Sequence, residues 1–309
     1  MPVNLTVGWV GLVAFCLLAT PAATAQSADE LPGNADTPIV STRGHFDPET
    51  RKLKEGIGPT SYQVLGHVPG LMGGRCPPRL ITFVHGYDKG ETSAIESFDI
   101  AEASFSDPVV GFSWDSETGF WLSPFNFWDA TQIADRNGQK LARFLVDYAD
   151  QCPKTGLHLV GHSLGARIVL RTVEVFYQRG GPKVETVQLI GAAVEDDIFA
   201  KLDLIEPVET KVDRIVNYFN RRDGTLRWAL FGLFDMPLGQ QGIDGTMPAN
   251  YREVDVTCCV GTNHRTPFYL DVAAKLMNDV IQGDWNDAST EIRNAPRVLG
   301  KARTGTAAR

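Results

Sequence analysis

A short apolar run, a tight glycine-bounded turn and an amphipathic stretch follow one another in the middle of this sequence. Leu157–Val160 is the apolar run, Gly161-His162-Ser163-Leu164-Gly165 is the turn, and Leu164–Tyr177 carries a helical pattern. A short apolar run bounded by turn signals indicates a buried strand. A strand that passes into a helix through so tight a turn needs residues without side chains on both sides of it. The segment therefore predicts a strand–turn–helix unit with Ser163 raised above a sheet.

The same alternation of short apolar runs and amphipathic stretches continues along most of the chain. Predicted strands are Tyr62–Val68, Leu80–Val84, Val109–Trp114, Leu157–Val160, Val187–Ile190, Ile215–Phe219 and Tyr251–Thr257, and predicted helices are Ser93–Ser106, Trp128–Tyr148, Leu164–Tyr177 and Phe268–Ile281. This pattern predicts an α/β protein with a mostly parallel central sheet and helices on both faces. In such a sheet, functional residues collect at the carboxyl ends of the strands.

Length and charge narrow the class of protein further. The chain has 309 residues, of which 43% are hydrophobic, enough for one large domain or two small ones. Its net charge of −8 argues against nucleic-acid binding. Outside the N-terminus there is no long uncharged apolar run, which excludes a polytopic membrane protein. No repeat is visible, which excludes solenoids and propellers.

The N-terminus has the features of an export signal. Val7–Thr20 is almost purely apolar, and Ala23-Thr24-Ala25 supplies small residues at a cleavage site, so we predict a signal peptide over residues 1–25. No Lys or Arg precedes Arg43, whereas signal peptides normally begin with basic residues, so an uncleaved membrane anchor is the alternative. Either way the domain would lie outside the cytoplasm, where disulfides persist.

The rest of the chain divides into three parts by composition. Residues 26–60 are polar with scattered Gly and Pro, which predicts an extended lead-in with little packing. Residues 61–285 carry the alternating pattern and are predicted to form the folded domain. Residues 286–309 lack apolar periodicity and are predicted to be a disordered tail.

The turn at Ser163 has the pattern of a nucleophile elbow. Gly-X-Ser-X-Gly between a strand and a helix exposes the serine hydroxyl and points the next backbone N–H and the helix N-terminus at the same spot. The alternative is a plain strand-to-helix turn with a capping serine.

The quoted segments resemble a known family. LHLVGHSLGARIVL, preceded by ITFVHGYD, resembles the α/β-hydrolase superfamily over roughly Tyr62 to Trp285. FVHGYD, GFSWDS, GHSLGAR and YFNRRDGTL are similar to a group of bacterial serine-hydrolase-like (esterase- or lipase-like) proteins with little assigned function. The resemblance implies an eight-stranded sheet and a Ser–acid–His triad in that chain order.

The resemblance also implies the groups that would bind an oxyanion. In the family, the His-Gly step after an early strand opens a loop whose backbone N–H completes the oxyanion hole. Carried over, that donor is the N–H of Tyr87, with the N–H of Leu164 as its partner. The His85 side chain is expected to be structural, bonding the backbone and shaping the loop.

His264 is the predicted base. Among the histidines of the mature chain it alone follows both the elbow and a strand-like segment, and it lies in Gly261–Pro267 immediately before a helix. The family places its general base there. His162 sits beside the serine, but its side chain is expected to turn away on the elbow.

The acid has two candidates. Asp223 follows the strand Ile215–Phe219 and would hold His264 in the correct tautomer, whereas Glu195-Asp196-Asp197 follows the preceding strand. Asp223 is preferred. The structural alternatives are an Asx turn before Gly224 and, for the acidic cluster, a cap for the segment that starts at Ile198.

Two aromatic-rich stretches should project from the carboxyl ends of strands. They are Phe120 to Trp128 and Trp228–Met236. So much apolar surface in loops suggests the walls of an acyl or otherwise apolar pocket. The alternative is that both stretches are short helices packed into the core.

Cysteine positions predict one disulfide. Cys76 and Cys152 precede the strands that end near His85 and Ser163, and these strands are neighbours in the fold that the resemblance implies. We therefore expect a Cys76–Cys152 bridge opposite the active site. Adjacent cysteines rarely bond each other, so the state of Cys258 and Cys259 stays open. No metal-ligand spacing is present.

Together these features predict an exported serine hydrolase acting on carboxylic esters, with a small-molecule or lipid-like ester as substrate. Ser163, His264 and Asp223 are its catalytic residues, and the N–H groups of Tyr87 and Leu164 form its oxyanion hole. Amide or thioester hydrolysis would use the same parts. The alternative class is a non-catalytic envelope protein that keeps the fold for binding or structure. No cofactor and no nucleic-acid partner are predicted, and the sequence does not indicate the oligomeric state.

Overall fold

An eight-stranded sheet forms the centre of the molecule. The computed structural model describes residues 37–47, 50–119, 124–229 and 236–284. The strands are β1 (Ile39–Ser41), β2 (Gln63–Leu65), β3 (Arg79–Val84), β4 (Val109–Ser113), β5 (Gly156–His162), β6 (Val184–Ile190), β7 (Val212–Phe219) and β8 (Tyr251–Asp255). Their spatial order is β2-β1-β4-β3-β5-β6-β7-β8. Only the β1–β2 pair within this sheet is antiparallel.

Helices connect the strands and cover the sheet. The α-helices are α1 (Glu91–Ser104), α2 (Pro124–Gln151), α3 (Gly165–Arg179), α4 (Ile198–Lys201), α5 (Ile205–Lys211), α6 (Gly224–Ala229), α7 (Leu238–Gln241), α8 (Thr257–Val260) and α9 (Thr266–Gln282), and Leu71–Gly73 is a 3-10 turn. Among the described helices, none combines the length and the apolar character needed to cross a membrane.

Strand β3 shows how the sheet separates two cores. Leu80 and Val84 belong to the apolar cluster that contains the inner faces of α2 and α3. Ile81 and Phe83 point the other way, into the cluster that contains α1 and α9. Successive side chains of a strand point to opposite faces, so an unbroken apolar run means that both faces are covered. The predicted arrangement, a mostly parallel sheet with helices on both faces, is confirmed.

The predicted lead-in is wrong where it passes over β1. Ile39, Val40 and Ser41 are all buried, and β1 lies between β2 and β4 inside the sheet. A three-residue strand is too short to show a periodic pattern within a polar stretch, which is why its packing could not be seen in the sequence. The predicted signal peptide and disordered tail lie outside the described residues.

Two disulfides are present in the described part of the chain. The predicted Cys76–Cys152 bridge is confirmed, with its Cα atoms 5.6 Å apart. It joins the segments that enter β3 and β5, at the amino ends of the strands, where Arg79 pairs with Gly156. The bridge therefore lies at the opposite end of the sheet from Ser163. Cys258 and Cys259, whose state the sequence left open, also form a disulfide.

Candidate active site

Ser163 occupies a sharp turn between β5 and α3. Its φ is +54°, in the left-handed region that non-glycine residues seldom adopt. A Cβ at position 161 would lie 2.7 Å from the Ala166 Cα, and a Cβ at position 165 would lie 2.4 Å from the Val84 carbonyl oxygen. Both glycines are thus required because strand, turn and helix approach each other too closely for a side chain.

Backbone hydrogen bonds hold the turn from both sides. The Ser163 N–H donates to the Ile190 carbonyl at 3.1 Å, and the Ser163 carbonyl accepts from the N–H groups of Ala166 and Ala193. These bonds engage the backbone polar groups of the residue and leave its side chain to other partners. The hydroxyl is therefore presented by a rigid backbone at the carboxyl end of β5.

His264 joins Ser163 to Asp223. Its Nε2 lies 2.8 Å from the Ser163 Oγ, and its Nδ1 lies 2.7 Å from the Asp223 Oδ2. Because a carboxylate only accepts, Nδ1 carries the proton and Nε2 accepts the serine hydroxyl. The three residues follow the carboxyl ends of β5, β7 and β8, which the parallel sheet brings to one edge.

Asp223 is fully buried and has a donor for each lone-pair direction. Its Oδ1 accepts from the backbone N–H groups of Thr225 and Leu226 at 3.0 Å each. Its Oδ2 accepts from His264 and, at 2.8 Å, from the hydroxyl of Tyr269. A buried carboxylate is tolerated only with such compensation, and these bonds also fix its orientation.

The competing acidic cluster has other partners. Glu195 pairs with Arg167 at 2.9 Å and with Lys201 at 3.1 Å. Arg167 is itself held by Asp135 at 2.7 Å, so Glu195 belongs to an ion network over α2 and α3. Of the two candidate acids, Asp223 is the one within hydrogen-bond distance of His264.

His162 supports the loop that carries His264. Its Nε2–H donates to the backbone carbonyl of His264 at 2.7 Å, and the two rings lie 5.0 Å apart. Burial, together with the charge that His264 can carry, holds the pKa of His162 well below its usual value, so the ring is neutral. The side chain thus turns to the base loop and bonds its backbone, a contact that the sequence did not predict.

His85 has the structural role that was expected. Its Nδ1–H donates to the Gly86 carbonyl at 2.8 Å, and its Nε2 accepts the backbone N–H of Trp114 at 3.1 Å. Burial lowers the pKa of His85 well below its usual value, which agrees with a neutral ring that both donates and accepts. The imidazole therefore fixes the start of the loop that leads to Tyr87.

That loop lies directly against the elbow. A Cβ at Gly86 would be 2.7 Å from the Ser163 Cβ, so the chain can pass only because position 86 is glycine. Within the described part of the chain, no protein group accepts the backbone N–H of Tyr87 or of Leu164. One unbonded N–H directly after Ser163 and another directly after Gly86 suit the binding of an anionic oxygen.

The first aromatic stretch is only partly described, because residues 120–123 lie outside the described residues. Phe125 and Trp128 are exposed on the first turns of α2, while Phe127 is buried and packs edge-on against Tyr87 with ring centroids 5.5 Å apart. This part of the stretch is helix rather than loop. In the second stretch, residues 230–235 lie outside the described residues.

A cavity of about 110 Å³ lies among the segments that follow β1 and β4. Its lining is mostly charged or polar and includes Arg43, Arg51, Asp115, Glu117 and Thr118. The Thr118 hydroxyl also faces the Tyr87 hydroxyl at 3.4 Å. This cavity is therefore not the apolar pocket that the aromatic stretches suggested. Within the described ranges there is no cluster of three or more His, Cys, Asp or Glu side chains that could hold a metal ion.

Two residues that contribute to the site were not predicted from the sequence. Tyr269 bonds Asp223, and the Asn220 side chain donates to the Gly261 carbonyl at 2.9 Å and so ties the Asp223 loop to the His264 loop. Tyr269 lies on the inward face of a predicted helix, and an aromatic residue at such a position predicts only packing in the hydrophobic core. Its nearness to His264 in the chain was the only available signal.

Topology and elbow together identify the fold. A mostly parallel eight-stranded sheet, helices on both faces, and a Gly-X-Ser-X-Gly turn between a central strand and its helix define the α/β-hydrolase fold. The predicted fold class is thus confirmed. Ser163, Asp223 and His264 follow one another in the chain order typical of that fold.

Comparisons with known proteins give a family match but no activity. A family model described as "Protein of unknown function (DUF726)" matches residues 124–265, less than half of the chain. No curated protein is a significant match.

Several solved structures are similar at low sequence identity. They include the catalytic core domain of acetyl xylan esterase from Trichoderma reesei (11% identical, 68% of this chain, 100% of that chain, TM-score 0.38), a candidate cell surface hydrolase from Lactobacillus plantarum (10%, 72%, 98%, TM-score 0.44) and the gene lin2722 product from Listeria innocua (13%, 68%, 96%, TM-score 0.40). Likenesses at this level say nothing about the activity of this chain.

Proposed function

We propose that this chain is an exported serine hydrolase that cleaves carboxylic esters through an acyl-enzyme. The observation that carries the proposal is the position of His264, whose two ring nitrogens lie 2.8 Å from the Ser163 Oγ and 2.7 Å from the Asp223 Oδ2. A serine hydroxyl is a weak nucleophile unless a neighbouring base takes its proton. Here the base is aligned and oriented by a buried carboxylate.

The reaction would proceed in two halves. The Ser163 Oγ attacks the carbonyl carbon as its proton passes to the His264 Nε2, and Asp223 stabilises the imidazolium that forms. His264 then protonates the leaving alkoxide, which departs as an alcohol. Water, deprotonated by His264, attacks the acyl-enzyme and releases the acid.

The oxyanion would be bound by the N–H groups of Tyr87 and Leu164. Support comes from the contact between Gly86 and the elbow and from the absence of other acceptors for these N–H groups among the described residues. The start of α3 adds the positive end of a helix dipole at the same place. Two such donors contribute several kcal/mol of transition-state stabilisation, on the order of 3 kcal/mol each.

The acyl group is proposed to contact the exposed aromatic residues at the start of α2, Phe125 and Trp128. Phe125 and Trp128 are exposed and lie three positions apart on one helix, where side chains are neighbours, so together they present an apolar surface to a ligand. The substrate would then be a small-molecule or lipid-like ester. Export is supported by the Cys76–Cys152 bridge, because such bonds persist outside the cytoplasm.

An active-site fluorophosphonate tests the activity. The wild-type protein should be labelled on Ser163, and Ser163→Ala, which removes only the hydroxyl, should not be labelled. Wild-type protein that is folded but unlabelled, and inactive on every ester, would overturn the proposal and leave a binding or structural role for the fold.

An ester panel tests the substrate class. Turnover should rise from acetyl esters to esters of longer acyl chains. Amides and thioesters with the same acyl groups measure how strongly the rate depends on the leaving group. A rate that does not increase beyond acetyl would contradict the apolar acyl site while leaving the hydrolase intact.

A further inference from the structure

Asp223 is held by a buried phenol as well as by His264. The Tyr269 hydroxyl donates to Oδ2 at 2.8 Å, and this is the same oxygen that accepts the His264 Nδ1–H at 2.7 Å. Tyr269 lies on α9, which begins two residues after His264. One carboxylate oxygen is thus shared between the base and the phenol.

The surroundings of Tyr269 fix its hydroxyl in place. The ring is fully buried, and its edge faces His162 with ring centroids 6.3 Å apart. Gly191 lies beside the hydroxyl, and a Cβ there would be 2.9 Å from the phenol oxygen. The chain therefore leaves room for this oxygen at the expense of a side chain at position 191.

The Tyr269 phenol is protonated beside Asp223. Burial, and next the negative charge of Asp223, raise the pKa of Tyr269 far above its usual value. The hydroxyl is therefore a donor to Asp223 and not a group that shares its proton with the site.

A donor on Oδ2 changes how strongly Asp223 attracts the His264 proton. A hydrogen bond to a carboxylate withdraws part of its charge, so the imidazolium is stabilised less than it would be by an unshared carboxylate. The imidazolium then releases its Nε2 proton more readily to a leaving group. The bond also limits rotation of the carboxylate, which keeps Oδ2 in line with Nδ1.

Other charged and titratable groups lie around this pair. They are His162 on the elbow, Lys89 on the loop after β3, and Arg265 next to the base; the charge of Lys89 acts on His162, and that of Arg265 acts on Lys89. None of them is hydrogen-bonded to the Tyr269 hydroxyl among the described contacts. A change at that hydroxyl leaves the hydrogen bonds of these three groups intact, and Asn220 is the further side chain that bonds it.

We propose that Tyr269 is a positioning residue whose hydroxyl fixes the Asp223 carboxylate and moderates its attraction for the His264 proton. The catalytic consequence of this contact rests on the hydrolase function proposed above. The effect of Tyr269 on the Asp223–His264 pair can be measured without turnover, so this effect and the hydrolase function can be tested separately.

The first measurement is the protonation of His264 by NMR in a Ser163→Ala background. Tyr269→Phe removes the hydroxyl and keeps the ring, and it should raise the His264 pKa by about half a unit or more because the carboxylate regains its full charge. Tyr218→Phe is the matched control: its hydroxyl is also fully buried and also donates at 2.8 Å, but to Gln188 in the core. It should leave the His264 pKa unchanged.

Fluorotyrosine placed at position 269 is a second variant for the case that Tyr269→Phe does not fold. A fluorinated phenol is a stronger donor, so the His264 pKa should fall rather than rise. An unchanged His264 pKa in a folded position-269 variant, or equal shifts in the Tyr218→Phe control, would overturn the proposal and leave Tyr269 as packing only.

The second measurement is the pH profile of ester hydrolysis. Tyr269→Phe should lower kcat about tenfold with little change in KM, and the acid limb of kcat/KM should move to higher pH with the His264 pKa. If wild type neither turns over esters nor reacts with a fluorophosphonate, the hydrolase proposal fails. The NMR shift then still decides whether Tyr269 acts on the Asp223–His264 pair.

Discussion

Gly86 packs directly against Ser163, so closely that a Cβ at position 86 would lie 2.7 Å from the Cβ of the serine. The same position would be 3.1 Å from the His162 Nδ1. Two loops that are far apart in the chain thus meet at one point, and the residue before Tyr87 contacts the elbow.

Gly86→Ala should therefore disable the site without unfolding the protein. The added methyl group must push the Tyr87 loop away from the elbow, and losing one oxyanion donor reduces kcat about 100-fold or more. Gly58→Ala is a control, because a Cβ at Gly58 meets nothing closer than 3.7 Å. Steady-state ester kinetics with circular dichroism would check both, and equal activity in the two variants would contradict the assignment of Tyr87.

Asp223→Asn should keep the fold and lose the activity. The amide can still accept from Thr225 and Leu226, but its NH₂ would face His264 and favour the wrong tautomer. We expect kcat to fall by about 10³–10⁴-fold with a small change in KM.

Glu195→Gln separates the two candidate acids. It removes a charge from the Arg167 network and leaves the base untouched, so it should affect stability more than kcat. A collapse of kcat in Glu195→Gln together with near-normal kcat in Asp223→Asn would reverse the assignment.

Breaking the Cys76–Cys152 bridge should reduce stability and spare the site. The bridge closes a loop across 76 residues, for which chain entropy gives about 4 kcal/mol. Denaturant unfolding of the Cys76→Ser/Cys152→Ser double variant measures this loss. Fluorophosphonate labelling at room temperature should persist, because the bridge joins the amino ends of the strands and Ser163 follows a carboxyl end.

His45 should make the protein less stable in mild acid. It is buried against Lys140, whose Nζ lies 3.1 Å from the His45 Nδ1, and burial, followed by the Lys140 charge, lowers the pKa of His45 to about 4 from 6.5. Between pH 4 and pH 6.5, His45 binds a proton in the unfolded chain but stays neutral in the folded chain. The contribution of a neutral His45 is therefore complete above pH 6.5 and is lost as the pH falls towards 4.

His45→Gln tests this linkage because glutamine can accept from Lys140 and does not titrate. The slope of unfolding free energy against pH between 4 and 6.5 should be smaller in the variant by about one proton, roughly 1.4 kcal/mol per pH unit. Urea unfolding across this range supplies the slopes. Identical slopes would mean that His45 is protonated in the folded protein.

Local sequence was enough to identify the elbow and the strands around it. The glycines at 161 and 165 are dictated by contacts with residues next to them in the chain or on the adjacent strand, so a turn of this kind has a local signature. Long apolar runs such as β3 and β5 are equally readable, because burial on both faces leaves no polar positions. The chain order of Ser163, Asp223 and His264 followed from these elements together with the family resemblance.

Tertiary packing brought Asp223 rather than Glu195 to His264, placed β1 inside the sheet, and brought the Tyr269 hydroxyl to the carboxylate. Each of these depends on side chains and strands that are distant in the chain, and their distances are set by how the whole sheet twists and packs. A buried tyrosine on a helix has the same sequence pattern whether its hydroxyl meets Gln188 or Asp223. Local residue patterns fix which helices and strands form, and the packing of these elements against one another fixes which polar atoms meet.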